Sequence, residues 1–187
     1  MSGSTAELLE RIARLEATEA IRNLVARYGM AVDDRDLDAV AEMFTQDAVF
    51  RHGDGAVVNE GRQAIVDFYA DRLSSFGATY HYPHSHLVEL DSHHTGLASG
   101  TVAAHAEMAI GGRTFITGLR YYDRYRLDGG QWRFSERSIA MLYYMDMAEL
   151  AEGGLGEKDR KRYFGEVGPA ELPEGLDTWK RFFEAAG

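Results

Sequence analysis

Six of the seven histidines of this chain (His81, His84, His86, His93, His94 and His105) fall between residues 81 and 105. Well upstream, Tyr28 is followed five residues later by the paired acids Asp33 and Asp34. Imidazole is the side chain whose unperturbed pKa lies near neutrality, so it both takes and gives a proton under ordinary conditions. A carboxylate against one ring nitrogen fixes the tautomer and stabilises the imidazolium that forms. Asp33 and His81 together therefore suit abstraction of a proton from a carbon next to a carbonyl. Tyr28 or His105 would then polarise that carbonyl or protonate a departing hydroxyl.

Such chemistry needs elements that bring residue 33 to residue 81. The first third of the chain reads as helical. Ser4 and Glu7 form a capping-box pair, and Leu8, Ile12 and Leu15 follow at helical spacing. Ile21, Leu24, Val25, Tyr28 and Val32 carry the apolar stripe onward, read as a second helix after a break near Thr18. Tyr28 and Val32 lie one turn apart on one face, and Asp33 falls nearer that face than the opposite one. A short helix is expected from Leu37 to Phe44, a short strand at Ala48–Phe50, and an amphipathic helix from Gly61 to Leu73. From Thr79 the pattern changes to long strands: Tyr80–Leu90, Leu97–Ile110, Arg113–Leu127 and Gln131–Tyr144. Gly111-Gly112 and Asp128-Gly129-Gly130 mark hairpins, since tight turns there need positive φ. Helices followed by an antiparallel meander make an α+β fold. Residues 1–145 are read as one α+β domain and 146–187 as a helical tail packing on the body or on a neighbouring subunit.

Strand alternation divides the histidines. In a regular strand His81 faces opposite to His84 and His86. The latter two share a face suited to a metal, but no carboxylate is placed as a third ligand, so no metal is expected. His93 and His94 fall in a turn and read as solvated. Arg120, Arg124 and Arg137 read as surface residues, and the aromatics of the last two strands as part core, part oligomer face.

Composition narrows the partners. The chain has 187 residues, 45% hydrophobic and 27% charged, which suits a single core with a pocket. A net charge of -10 argues against nucleic acid and anionic membrane surfaces. No apolar run approaches the roughly 20 residues of a membrane span. Met1-Ser2-Gly3-Ser4-Thr5 lacks the charged and apolar regions of a signal peptide. The absence of cysteine removes disulfides, thiolate metal sites and cysteine nucleophiles, and fits a reducing cytoplasm.

Three segments carry a family likeness: Leu15–Leu24 with Tyr28 and Asp33–Asp38, then Phe44–Phe50, then Thr79-Tyr80-His81 with His86–Asp91. Their order and spacing resemble the SnoaL-like and scytalone dehydratase-like members of the nuclear transport factor 2-like superfamily, over residues 15 to 145. The resemblance implies a cone-shaped α+β barrel with helices packed on a strongly curved, mainly antiparallel sheet. It implies an aspartate–histidine pair at Asp33 and His81, a tyrosine at Tyr28 and a second histidine at His105. It further implies a cofactor-independent lyase, a dehydratase first, acting on a mostly apolar cyclic, polyketide- or steroid-like molecule. An isomerase or polyketide cyclase, or a non-catalytic binding protein, is the alternative. A homo-oligomer is implied, a trimer ahead of a dimer. The sequence departs from the family at Ser85, where an asparagine is frequent, at Val32 in place of a tyrosine, and on the first strand, where Phe50 is the nearest aromatic.

Overall fold

The computed structural model describes residues 4–186; the start of the N-terminal stretch read above, Met1–Gly3, lies outside them. Helix α1 (Thr5–Asp33) is followed by α2 (Leu37–Met43), strands β1 (Phe44–His52) and β2 (Val58–Glu60), and helix α3 (Arg62–Ser74). Four long strands come next: β3 (Thr79–Leu90), β4 (Leu97–Ile110), β5 (Arg113–Asp128) and β6 (Gln131–Asp146). Short helices α4 (Met147–Ala151) and α5 (Asp177–Ala186) lie in the C-terminal segment. The fold is α+β, as expected: helices against a curved, six-stranded, mainly antiparallel sheet.

The sheet order is β2-β1-β6-β5-β4-β3. The meander β3–β6 is antiparallel, whereas β1 runs parallel to β6, a pairing that sequence alternation cannot report. Glycines of positive φ make both hairpins, Gly111-Gly112 and Gly129-Gly130. The core lies between the concave face and the helices. Ile21, Leu24 and Val32 of α1 meet Phe44, Phe50, Val102, Tyr125 and Phe134 there, all nearly sealed from solvent. Each such side chain contributes about 1.5–3 kcal/mol through burial.

Helix α1 is a single helix with no break at Thr18. The Thr18 hydroxyl donates to the Arg14 carbonyl one turn back (2.9 Å), so the residue is satisfied without leaving the helix. The Ser4–Glu7 capping box is present. Burial in α1 begins only at Ile21, leaving Leu8, Leu9, Ile12 and Leu15 exposed. Among the described residues no helix is long and apolar enough to cross a membrane.

Two readings of the strands are corrected. Strand β3 carries a register shift between Pro83 and Ser85, leaving His84 as an extra residue. Alternation therefore restarts: Thr79 and His81 face inward before the bulge, and His86, Val88 and Leu90 after it. His86 thus shares the face of His81, not that of His84. Arg137, read as a surface residue, is fully buried on β6 and forms a two-bond ion pair with Asp123, at 2.9 and 2.7 Å.

Candidate active site

Helix α1 crosses the start of β3, and a glycine permits the close approach. A Cβ at Gly29 would lie 3.2 Å from the His81 Cβ and 3.4 Å from its carbonyl oxygen. One turn later α1 ends at Asp33, whose carboxylate meets β3 in three places. Oδ2 accepts the His81 backbone N–H at 2.8 Å, and Oδ1 accepts the Thr79 hydroxyl at 2.9 Å. Oδ1 also lies 2.6 Å from His81 Nδ1. Burial pulls the Asp33 carboxyl upward, but the His81 hydrogen bonds and charge, with Thr79, outweigh it, and its pKa falls below the usual value. An ionised Asp33 holds a proton on Nδ1 and leaves the Nε2 lone pair free. The two side chains are 17% and 20% exposed, screened yet reachable.

Arg35 locks this junction. It sits at φ 63°, just past the helix end, a conformation non-glycine residues adopt rarely. From there its guanidinium donates to the Val32 and Asp33 carbonyls (3.1 Å each), to the Thr79 hydroxyl (2.7 Å) and to the Gly77 carbonyl (2.5 Å). It ties the end of α1 to the start of β3.

His81, Tyr28, Val32 and Thr79 all border a largely apolar cavity that continues past Leu119, Tyr121 and Ile139. Its narrow interior holds about 90 Å³, and about 650 Å³ lies free of atoms when the mouth is included. Tyr28 is buried there, its hydroxyl hydrogen-bonded to that of Tyr69. Burial raises the Tyr28 phenol above its ordinary pKa despite the nearby Arg137 guanidinium, so it stays a neutral donor. Arg137 lies 4.2 Å from the Tyr28 ring centre and 4.0 Å from that of Tyr121, an underlying cation balanced by Asp123.

Asp33, His81 and Tyr28 are thus brought together, and His105 is not. His105 pairs with Tyr82 across β3–β4 and stacks on it (4.8 Å between ring centres), on the face away from the cavity. Its Nδ1 contacts His84 Nε2 at 2.7 Å. The expected second histidine therefore points outward, because strand parity sets it opposite Ala106, which lines the cavity. Among the described residues no group of three metal-ligating side chains forms, His84 and His86 being on opposite faces.

One cavity residue escaped the sequence reading. His52, the seventh histidine, is 5% exposed and borders the cavity at the end of β1. The strand expected at Ala48–Phe50 carries the signal: counting alternation on from Ala48 and Phe50 turns residue 52 inward. Burial, aided by Lys161 and Arg72 and opposed by Asp54, pushes its pKa down to about 4. Tyr163, from the C-terminal segment, closes the same end of the cavity, its ring 4.7 Å from that of His52.

Residues 13–138 match a family described as SnoaL-like domain. Solved structures share the fold at low identity. A type 2 hexachlorocyclohexane dehydrochlorinase is 20% identical, with a TM-score of 0.67 over 73% of this chain and 93% of that one. A protein described as a scytalone dehydratase, from Novosphingobium aromaticivorans, is 19% identical, with a TM-score of 0.67 over 73% and 91%. A protein of the same organism, described as NTF2-like with a cystatin-like fold, is 23% identical, with a TM-score of 0.63 over 76% and 92%. Among curated proteins none matches this chain.

Proposed function

The chain belongs to the SnoaL-like domain family, and on that basis we propose that it is a cofactor-independent lyase acting on a small, apolar, cyclic carbonyl compound. The observation that carries this reading is the 2.6 Å contact between Asp33 and His81 Nδ1 in the wall of an apolar cavity. With Nδ1–H committed to Asp33, His81 Nε2 takes a proton from the carbon next to the carbonyl, and Asp33 stabilises the imidazolium. The C–H electron pair passes into an enolate, whose collapse forms the new double bond as the β C–O bond breaks. His81 returns its proton to the departing hydroxyl on the same face, so the elimination balances to an alkene and water. Tyr28, kept neutral by burial, supplies a hydrogen bond to the bound molecule. Two of the structural neighbours bear names of elimination enzymes, a dehydrochlorinase and a dehydratase, which supports the lyase reading over isomerisation or cyclisation. The narrow interior favours a single ring over a steroid-sized molecule.

The first half-reaction is testable without the natural substrate. The protein should speed exchange of the α-protons of cyclohexanone in D2O, followed by NMR. His81→Ala and Asp33→Asn should each lower that rate by about 100-fold or more, with unfolding midpoints little changed. Undiminished exchange in either folded variant refutes the dyad.

A further inference from the structure

The cavity has a second polar wall, which the dyad does not use. His52 is buried at the end of β1, and among the described residues the one hydrogen-bond contact of its side chain is between Nε2 and the Tyr163 hydroxyl, at 3.4 Å, with none at Nδ1. Tyr163 lies well beyond residue 138, where the match to the family ends. A short strap holds it in place. Arg160 and Arg162 exchange backbone hydrogen bonds with Tyr144 of β6, at 2.8 and 2.7 Å. Lys161 pairs with Asp54, next to His52, at 2.6 Å and with Glu171 at 2.5 Å. Arg72 lies 4.8 Å from the centre of the Tyr163 ring. The charged groups facing His52 are thus Asp54, Lys161 and Arg72.

Resting on the dyad reading above, we infer that His52, its tautomer set by Tyr163 donating to Nε2, presents Nδ1–H to the substrate's carbonyl oxygen, and that the C-terminal strap thereby completes the active site. As His81 removes the α-proton, the C–H electron pair forms a carbon–carbon double bond and the carbonyl π pair moves onto oxygen. His52 gives that oxyanion a hydrogen bond and transfers no proton. A neutral imidazole suits this role. Its surroundings keep it uncharged, and it donates from a position sheltered from water, where a hydrogen bond to an anion is strong. The two histidines are then divided by their surroundings, a carboxylate hydrogen-bonded to the base and burial around the donor.

A phenolate mimics the oxyanion and needs no base to bind. Titration of the protein with 4-nitrophenol, read from its phenolate absorbance, should show the wild-type chain binding the anion in preference to the neutral phenol. His52→Phe should weaken phenolate binding at least tenfold and leave neutral-phenol binding within threefold. His52→Gln, which keeps an N–H donor, should retain the preference. Tyr163→Phe removes only the tautomer-setting hydroxyl and should weaken phenolate binding several-fold, an effect to be read even if His52→Phe does not fold. Binding of the neutral phenol alone by the wild type, or a phenolate affinity unchanged in Tyr163→Phe and in any folded His52→Phe protein, overturns the inference. Cyclohexanone exchange reports on His81 separately, so the dyad and the donor wall fail independently.

Discussion

Placing a single methyl group at Gly29 tests how the site is seated. Gly29→Ala should favour the helix by about 1 kcal/mol, the propensity difference at an interior position. Against that, the new Cβ would stand 3.2 Å from the Cβ of His81 and 3.4 Å from its carbonyl oxygen, so β3 must give by a few tenths of an ångström. Crowding of this kind costs about 1–3 kcal/mol. The net change lies between roughly zero and 2 kcal/mol of destabilisation, at most about 8 °C in Tm for a chain of this size. The shift falls on the strand that carries His81, between two atoms now 2.6 Å apart. Misplacement by 1 Å costs about 100-fold in rate, so about a third of that distance should cost about fivefold. Cyclohexanone exchange, corrected for the folded fraction, measures it. In an Asp33→Asn background the same substitution should change the residual rate less than twofold, because the pair it displaces is already broken. A rate in Gly29→Ala within twofold of wild type refutes the claim that this glycine seats the dyad.

Three further outcomes are expected. Arg35→Met removes the clamp on Thr79 and the end of α1, and should lower exchange about tenfold while costing about 1–3 kcal/mol in urea unfolding; unchanged exchange would show that the dyad holds its place unaided. His52 has a folded pKa of about 4 against 6.5 when free, so between those pH values the unfolded chain binds a proton that the folded chain refuses. Stability conferred by neutral burial is therefore full above pH 6.5 and declines as pH falls toward 4, by up to about 3 kcal/mol, and His52→Gln should flatten that part of the curve; parallel curves for the two proteins contradict the assignment. Asp123→Ala strands the buried Arg137 cation and should cost about 3–5 kcal/mol, whereas Asp123→Leu combined with Arg137→Met should cost less. Denaturation midpoints of the three proteins decide it, and a double variant weaker than Asp123→Ala rules out a stranded cation as the cause.

The elements were largely legible because their signals are local. The Ser4–Glu7 cap and the double glycines of the hairpins fix ends and turns through contacts a few residues apart, and the long strands follow from alternation between those turns. What the sequence hid depends on partners far along the chain. Thr18 has the chemistry of a helix breaker, and only its bond to Arg14 shows that it breaks nothing. Arg137 looks like a solvated cation until Asp123, fourteen residues away on the neighbouring strand, is seen to neutralise it. His105 is on the outer face because of strand phase, which no composition reports. His52 was legible in principle, since Phe50 two residues earlier points the same way, but the strand expected at Ala48–Phe50 stops short of it.

The extra residue at position 84 makes β3 a strand counted in two phases. Odd positions point inward ahead of it and even positions behind it, so the base at one end and the packing residues His86 and Val88 at the other agree only because one residue is out of step. Deleting His84 would remove the bulge and join Pro83 to Ser85 in one regular alternation, with His81 and the apolar end of the strand still facing inward. A residue added between His81 and Pro83, with no second bulge to absorb it, would instead turn one half inside out: either His81 would swing away from Asp33, or the apolar end of the strand would face water. His84→Ser and loss of His84 should therefore both leave the dyad in place, whereas an added residue should cost it. The bulge reconciles two phases that the loss of one residue would merge.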